Sequence, residues 1–140
     1  MVSYFLGFFF LAGSAFITWR AVQLWRKPED VDHFVDTFAF LPFGSEVKRG
    51  EVRSLPLTAA ALWGITVLLL LGLTGADLDG PIGAAFVIAV LVILLSGLTE
   101  VCVVLFNMPR FVVPPHMRNE PGVVAARRER RVGGPNRPSA

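Results

Sequence analysis

The sequence predicts an all-α integral membrane protein with three transmembrane helices. Apolar residues make up 54% of its 140 residues and charged residues only 17%. This balance is unusual for a water-soluble domain of this length. Three stretches are also long and apolar enough to cross a bilayer, and the basic residues are distributed unevenly around them. We therefore expect a chain that lies largely in lipid.

The three apolar stretches have the length that a membrane-spanning helix needs. A helix rises about 1.5 Å per residue, so about 20 residues cross roughly 30 Å of hydrocarbon. We predict spans at about residues 1–25, 55–75 and 81–106. The alternative for the first stretch is a cleaved signal peptide, since small residues occur at 12–15. A signal peptide carries positive charges before its apolar run, whereas here the first positive charge follows it, at Arg20.

The basic residues predict the orientation of these spans. Six of the 13 lie within residues 20–53, none lies within 76–80, and seven follow residue 109. Lysine and arginine concentrate on the cytoplasmic side of membrane proteins. We therefore expect a multi-pass protein of the plasma membrane with its N-terminus outside and its C-terminus in the cytoplasm. The excess of arginine, alanine, glycine and valine over lysine is typical of a GC-rich bacterial genome.

The loop between the first two spans contains a predicted amphipathic helix at about residues 28–41. Apolar side chains recur there at helical spacing, and acidic side chains occupy the other face. The residues that we expect to dock a partner are Glu29, Asp30, Asp32, Asp36, Phe34 and Phe38. Anionic headgroups repel an acidic face, so it should meet basic groups of this chain or of another subunit. The alternatives are a solvated acidic face above a lipid-buried apolar stripe, and an ion site.

After the third span we expect an extended proline-rich segment and then a disordered tail. Pro109, Pro114 and Pro115 interrupt any helix, because proline fixes φ and lacks an amide donor. The chain thus divides into a membrane domain at 1–118 and a disordered arginine-rich tail at 119–140. The candidate contacts of the tail with anionic lipid are Arg127, Arg128, Arg130 and Arg131. Nucleic acid is not an expected partner, because aromatic residues and a folded binding motif are missing from the tail.

Glu100 is the one ionisable acid within the third span. Charges inside a bilayer are costly and mark candidate sites. Glu100 is residue 20 of its span counted from Pro81, and Arg20 lies equally far along the first span. We therefore predict an intramembrane ion pair between Glu100 and Arg20, with Arg26 as the second candidate partner. Proton or cation binding by Glu100, or its contact with another subunit, remains the alternative.

The pattern favours a noncatalytic accessory or scaffold subunit of a membrane complex. Its expected partners are the lipid bilayer, other membrane subunits or further copies of itself. No phosphate-binding glycine loop, hydrolase elbow or HExxH helix occurs, and one cysteine and two histidines do not form a metal site by themselves. We expect no enzyme activity, cofactor or metal. The alternative is an oligomeric proton-coupled carrier or channel for small solutes that uses Glu100.

Overall fold

The structure is a computed structural model that describes residues 1–37, 40, 42 and 44–133. Within these residues the fold is all-helical and contains no strand, so the predicted helical class is confirmed. Its helices are α1 (Val2–Arg26), α2 (Val31–Thr37), α3 (Ser45–Arg53), α4 (Leu55–Thr74), α5 (Gly80–Phe106) and α6 (Val123–Val132). Short 3₁₀ turns occupy Pro28–Asp30, Arg110–Val112 and Pro115–Met117.

Three helices, α1, α4 and α5, are long and apolar enough to cross a membrane. They contain 25, 20 and 27 residues, and their bounds agree with the three predicted spans to within about two residues. Many of their large apolar side chains are exposed, for example Phe8, Leu94 and Leu98. Such a surface is compatible with a multi-pass membrane protein.

Helix α4 lies in the middle of the bundle and packs against both α1 and α5. The buried hydroxyl groups of Ser14 and Thr66 are 2.9 Å apart between α1 and α4. Gly64 faces α5, where a Cβ atom would lie 2.7 Å from Ile93 Cγ1 and 3.1 Å from the carbonyl oxygen of Ala89. The missing side chain of Gly64 therefore permits the close approach of α4 and α5.

A cluster of buried apolar residues joins one end of the bundle to the shorter elements. It contains Ala21, Leu24, Val31, Phe34, Val52, Leu55, Val103, Val113 and Met117. Val31 and Phe34 of α2 are 7% and 5% exposed. The apolar side of α2 is therefore buried in protein, in contrast to the alternative that places this stripe in lipid.

The loop between α1 and α4 differs from its prediction in two ways. The expected helix at 28–41 appears as the 3₁₀ turn Pro28–Asp30 and the helix α2, while residues 38, 39 and 41 lie outside the described residues. A second helix, α3, follows in a segment for which the sequence analysis predicted no element. Gly50 is buried, and a Cβ atom there would lie 2.9 Å from Val104 Cγ1 of α5. The packing of Gly50 on α5 places α3 against the bundle.

The C-terminal segment is more ordered than the sequence predicts. The expectation of disorder at 119–140 is wrong for residues 123–132, which form α6. Val123 is 3% exposed, and a Cβ atom at Gly122 would lie 2.3 Å from the carbonyl oxygen of Leu105. These contacts dock the start of α6 on the end of α5. The rest of the predicted tail, residues 134–140, lies outside the described residues.

We expect Gly64→Ala to destabilise the bundle by about 1–3 kcal/mol, because the added methyl group overpacks the contact with α5. Gly97→Ala is the matched control, since a Cβ atom at Gly97 meets nothing within 4 Å. Thermal unfolding of both variants in detergent measures the difference. Equal melting temperatures would show that the close approach at Gly64 is not needed.

Candidate functional site

Charged and polar side chains gather at one end of the bundle, where α3 meets the end of α5 and residues 107–122. We call this group the polar cap. It consists of Glu46, Arg49, Glu51, Arg53, Ser54, Thr58, Glu100, Asn107 and Glu120. Because Gly50 holds α3 against α5, the acidic and basic side chains of α3 reach both the third long helix and the segment that follows it.

Glu120 connects two arginines of α3. Arg49 donates two hydrogen bonds to the two carboxylate oxygens of Glu120, one of them from Nε to Oε2 at 3.2 Å. Arg53 Nη1 donates to the carbonyl oxygen of Pro121 at 3.1 Å and lies 3.8 Å from Glu120 Oε2. A bidentate arginine–carboxylate pair fixes orientation as well as distance. Glu120 therefore fastens the C-terminal segment to α3.

Arg53 is the most deeply buried charge of the polar cap, with a side chain that is 1% exposed. Burial lowers the pKa of Arg53, while the Glu120 carboxylate acts in the opposite direction and Arg49 adds to the lowering. The hydrogen bond to Glu120 raises the pKa of Arg49. Arginine stays protonated near neutral pH even so. The cap therefore holds a buried positive charge that depends on Glu120 and on the Pro121 carbonyl group.

Glu100 lies in the polar cap and accepts hydrogen bonds from two hydroxyl groups of α4 and the residue before it. Ser54 Oγ donates to Glu100 Oε1 at 3.2 Å, and Thr58 Oγ1 donates to the same oxygen at 2.9 Å. Glu51 of α3 also contacts this carboxyl group. Burial, the charge of Glu100 and a hydrogen bond to Glu100, in that order, raise the pKa of Glu51. The polar cap thus places the Glu51 carboxyl group beside that of Glu100.

The structure does not bring together Arg20 and Glu100. The Arg20 guanidinium carbon lies 5.3–5.5 Å from three aromatic ring centres, those of Phe16, Trp19 and Phe34. This is cation–π geometry. Arg26, the second candidate, forms no ion pair with Glu100 in the described structure either. The prediction rested on the equal depths of Arg20 and Glu100 along their helices. Depth does not define which way each side chain points around its helix axis, and the two side chains point to different neighbours.

Only some of the residues predicted to dock a partner lie on the surface of the structure. Glu29, Asp32 and Asp36 are exposed, and Asp30 is half-buried. Phe34 is in the buried core instead and offers no surface to a partner. Phe38 lies outside the described residues. The acidic part of the predicted surface is thus present on the outside of α2, without Phe34.

The four arginines predicted to contact anionic lipid are all exposed on α6. Arg130 forms an ion pair with Glu46 of α3. Arg127, Arg128 and Arg131 form no ion pair within the described ranges of the chain. Their contact with lipid stays a prediction, whereas Arg130 has a second role in docking α6 on α3.

Asn107 is a site residue that the sequence analysis missed. It ends α5 with a φ of 55°, and its Nδ2 donates to the carbonyl oxygens of Met117, Arg118 and Glu120 at 3.3, 3.1 and 2.7 Å. Asparagine directly after an apolar helix is a recognised helix-ending signal, so its position was readable from the sequence. Its long-range hydrogen bonds were not.

The polar cap raises the pKa of Glu51, and it holds the C-terminal segment in place. Among the residues that the structure describes, no group of three or more His, Cys, Asp or Glu side chains is arranged to hold a metal ion. No protein family model, curated protein or solved structure matches this chain.

We expect the folded protein to lose stability as the pH rises above the ordinary glutamate pKa of 4.5 through the raised pKa of Glu51. The folded state holds the Glu51 proton more tightly than the unfolded state, so this contribution is complete below that range and is lost above it. Glu51→Gln should flatten the decline, as measured by melting temperature in detergent between pH 4.5 and 8. The exposed Glu29→Gln is the control and should keep the decline. A Glu51→Gln variant with the original pH dependence would contradict the carboxyl pair.

Proposed function

We propose that the protein is a noncatalytic integral membrane protein that serves as an accessory or scaffold subunit of a membrane complex. The observation that carries this proposal is the division of α2, whose apolar side is buried in the core while its acidic side is exposed. A helix whose apolar side is already occupied by protein has no stripe left to insert into lipid. Its ordered acidic side is instead suited to a basic surface of a partner.

The packing of the long helices favours a binding role over a transport path within a single copy of the chain. Their contacts are direct, as Gly7 lies against Leu73, Ser14 bonds to Thr66, and Gly64 lies against Ala89. Neighbouring helices thus approach each other closely at several levels. The exposed apolar residues on the outside are available to lipid or to helices of other subunits.

The charges on the outside of α2 favour a partner that carries basic groups. Of the four acidic residues of this surface, two in the 3₁₀ turn Pro28–Asp30 and two in α2, only Asp32 lies within 4 Å of a basic group in the described structure, 3.8 Å from Arg49 Nη1. Arg49 already donates two hydrogen bonds to Glu120. The acidic surface therefore keeps most of its charge for an outside partner, which would gain both specificity and association rate from it.

The polar cap end of the bundle faces the cytoplasm in this proposal, and the N-terminus lies outside the plasma membrane. The distribution of basic residues supports this orientation. The two segments that carry them, residues 20–53 and 110–131, lie at the same end of the bundle as the polar cap, and basic residues concentrate on the cytoplasmic side. The acidic surface and the arginines of α6 would then be presented on the same side of the membrane.

The proposal is tested by gentle detergent extraction of the tagged protein from its own membrane, followed by native mass measurement. We expect a companion protein in fixed stoichiometry, and the triple variant E29Q/D30N/D36N should weaken its retention at least about tenfold, as expected for the loss of charge pairs at an interface. The matched control R127Q/R128Q/R131Q should retain it. Extraction of the protein alone, or equal retention by both variants, would refute docking through α2.

A second candidate function is a proton-coupled carrier or channel built from several copies. One observation favours it specifically, namely the hydrogen-bonded carboxyl groups of Glu51 and Glu100 at the end of an apolar helix. A carboxyl pair of this kind can take up and release a proton as its surroundings change.

The carrier candidate is tested by flux in reconstituted vesicles with a pH gradient. We expect Glu100→Gln to abolish a proton flux that the original protein supports, because Gln keeps the shape and removes the titrating group. The control Asp77→Asn lies in the short link between α4 and α5, remote in sequence from the polar cap, and should leave flux unchanged. If the original protein gives no proton flux above that of empty vesicles, the carrier proposal is wrong.

A further inference from the structure

A cavity of about 370 Å³ lies beside the last turn of α5. Its walls come from the end of α5, from residues 107–122 and from α6. The cavity is distinct from the Glu51–Glu100 carboxyl pair and from the acidic surface of α2, because none of those residues lines it. It is large enough for a polar group of several heavy atoms.

Two arginines line this cavity, and its lining also includes Glu120, whose carboxylate already accepts two hydrogen bonds from Arg49. Arg110 and Arg118 both line it, and neither forms an ion pair within the chain as described. Arg118 Nε donates to the carbonyl oxygen of Val113 at 3.0 Å. This hydrogen bond positions the side chain and leaves its two Nη groups available to a ligand. Guanidinium groups without carboxylate partners are suited to a phosphate group.

The same cavity also has hydrogen-bond acceptors. Asn107 lines it and is 4% exposed, and its Oδ1 atom is buried without a hydrogen-bond partner. The amide orientation follows from the three carbonyl groups that accept from Nδ2, so Oδ1 is the free atom. Glu129 of α6 adds a carboxylate to the lining. An unsatisfied buried acceptor is costly unless a donor reaches it.

The cavity lies at the level where a lipid headgroup would be found. Phe106 is the last residue of the 27-residue apolar helix α5. Phe106 and Met108 both line the cavity and are 57% and 58% exposed. Polar lining on one side and exposed apolar side chains at the end of a long apolar helix match the two parts of a phospholipid.

We propose that this cavity binds the headgroup of a phospholipid that carries both a phosphate and a primary ammonium group, as phosphatidylethanolamine does. The phosphate is held by Arg110 and Arg118, and the ammonium group donates to Asn107 Oδ1 and to the Glu129 carboxylate. This inference rests on the proposed membrane location but not on the accessory-subunit role. The acyl chains lie along Phe106 and Met108 at the end of α5.

The chemistry distinguishes this headgroup from the common alternatives. The quaternary ammonium of phosphatidylcholine has no N–H group and leaves Asn107 Oδ1 without a donor. Phosphatidylglycerol carries no positive charge to meet Glu129. The expected order of retention is therefore phosphatidylethanolamine first, with the other two clearly weaker.

The test is native mass spectrometry of the purified full-length protein in detergent micelles with equal amounts of the three lipids, all with the same acyl chains. We expect phosphatidylethanolamine to be retained about tenfold more than phosphatidylcholine, the factor expected for one charge-assisted hydrogen bond. R110Q/R118Q should lose this retention, and Glu129→Gln, at an exposed position, should reduce the preference over phosphatidylglycerol. The control R26Q/K27Q removes the same charge at two exposed positions at the end of α1, outside the cavity, and should behave like the original protein.

Equal retention of all three lipids by the original protein would overturn the proposal. Preference for phosphatidylglycerol would overturn it as well, because that result describes an anion site without an ammonium contact. If R110Q/R118Q unfolds, Glu129→Gln still decides, since an unchanged preference in that variant contradicts the ammonium contact. Partner binding plays no part in the measurement, so failure of the accessory-subunit proposal leaves its outcome unaffected.

Discussion

The interaction on which the rest of the structure depends is the contact of Glu120 with Arg49 and Arg53. Glu120 follows a proline-rich segment whose Val113 and Met117 are buried in the apolar cluster, and it is held to α3 by two hydrogen bonds from Arg49. Arg53 is buried beside it and takes its nearest compensation from Glu120 and the Pro121 carbonyl group. Removing one partner of a buried pair leaves an uncompensated charge, which costs more than the pair contributes.

The contact at Glu120 determines where the other polar groups lie. With residues 107–122 held on α3, Asn107 closes the turn after α5 and α6 docks with Arg130 beside Glu46. The cavity beside the last turn of α5 is then formed between these elements, and α3 keeps Glu51 at Glu100. The three proposed activities, docking through α2, proton binding at the carboxyl pair and headgroup binding at Asn107, therefore share one scaffold at one end of an apolar bundle.

Much of the fold was readable from the sequence, because long apolar runs have one dominant physical solution. The three long helices and the acidic side of α2 followed from length and periodicity. The polar cap did not, since α3 and α6 are polar and are stabilised by contacts with α5 at Gly50 and Gly122 that local patterns do not contain. Glu100 was identified as a site residue, but its partners depend on helix rotation, so Ser54, Thr58 and Glu51 were missed and Arg20 was assigned in their place.

The central claim, that Glu120 holds the C-terminal segment on α3, is tested most directly by amide hydrogen exchange of the full chain in detergent. Glu120→Gln keeps the size of the side chain and removes its charge, and Glu29→Gln is the exposed control. We expect exchange in residues 123–132 to accelerate at least about tenfold in Glu120→Gln, which corresponds to about 1.4 kcal/mol of lost local stability, while the control matches the original protein. Unchanged exchange in Glu120→Gln would contradict the account, because the segment would then be held by contacts other than this carboxylate.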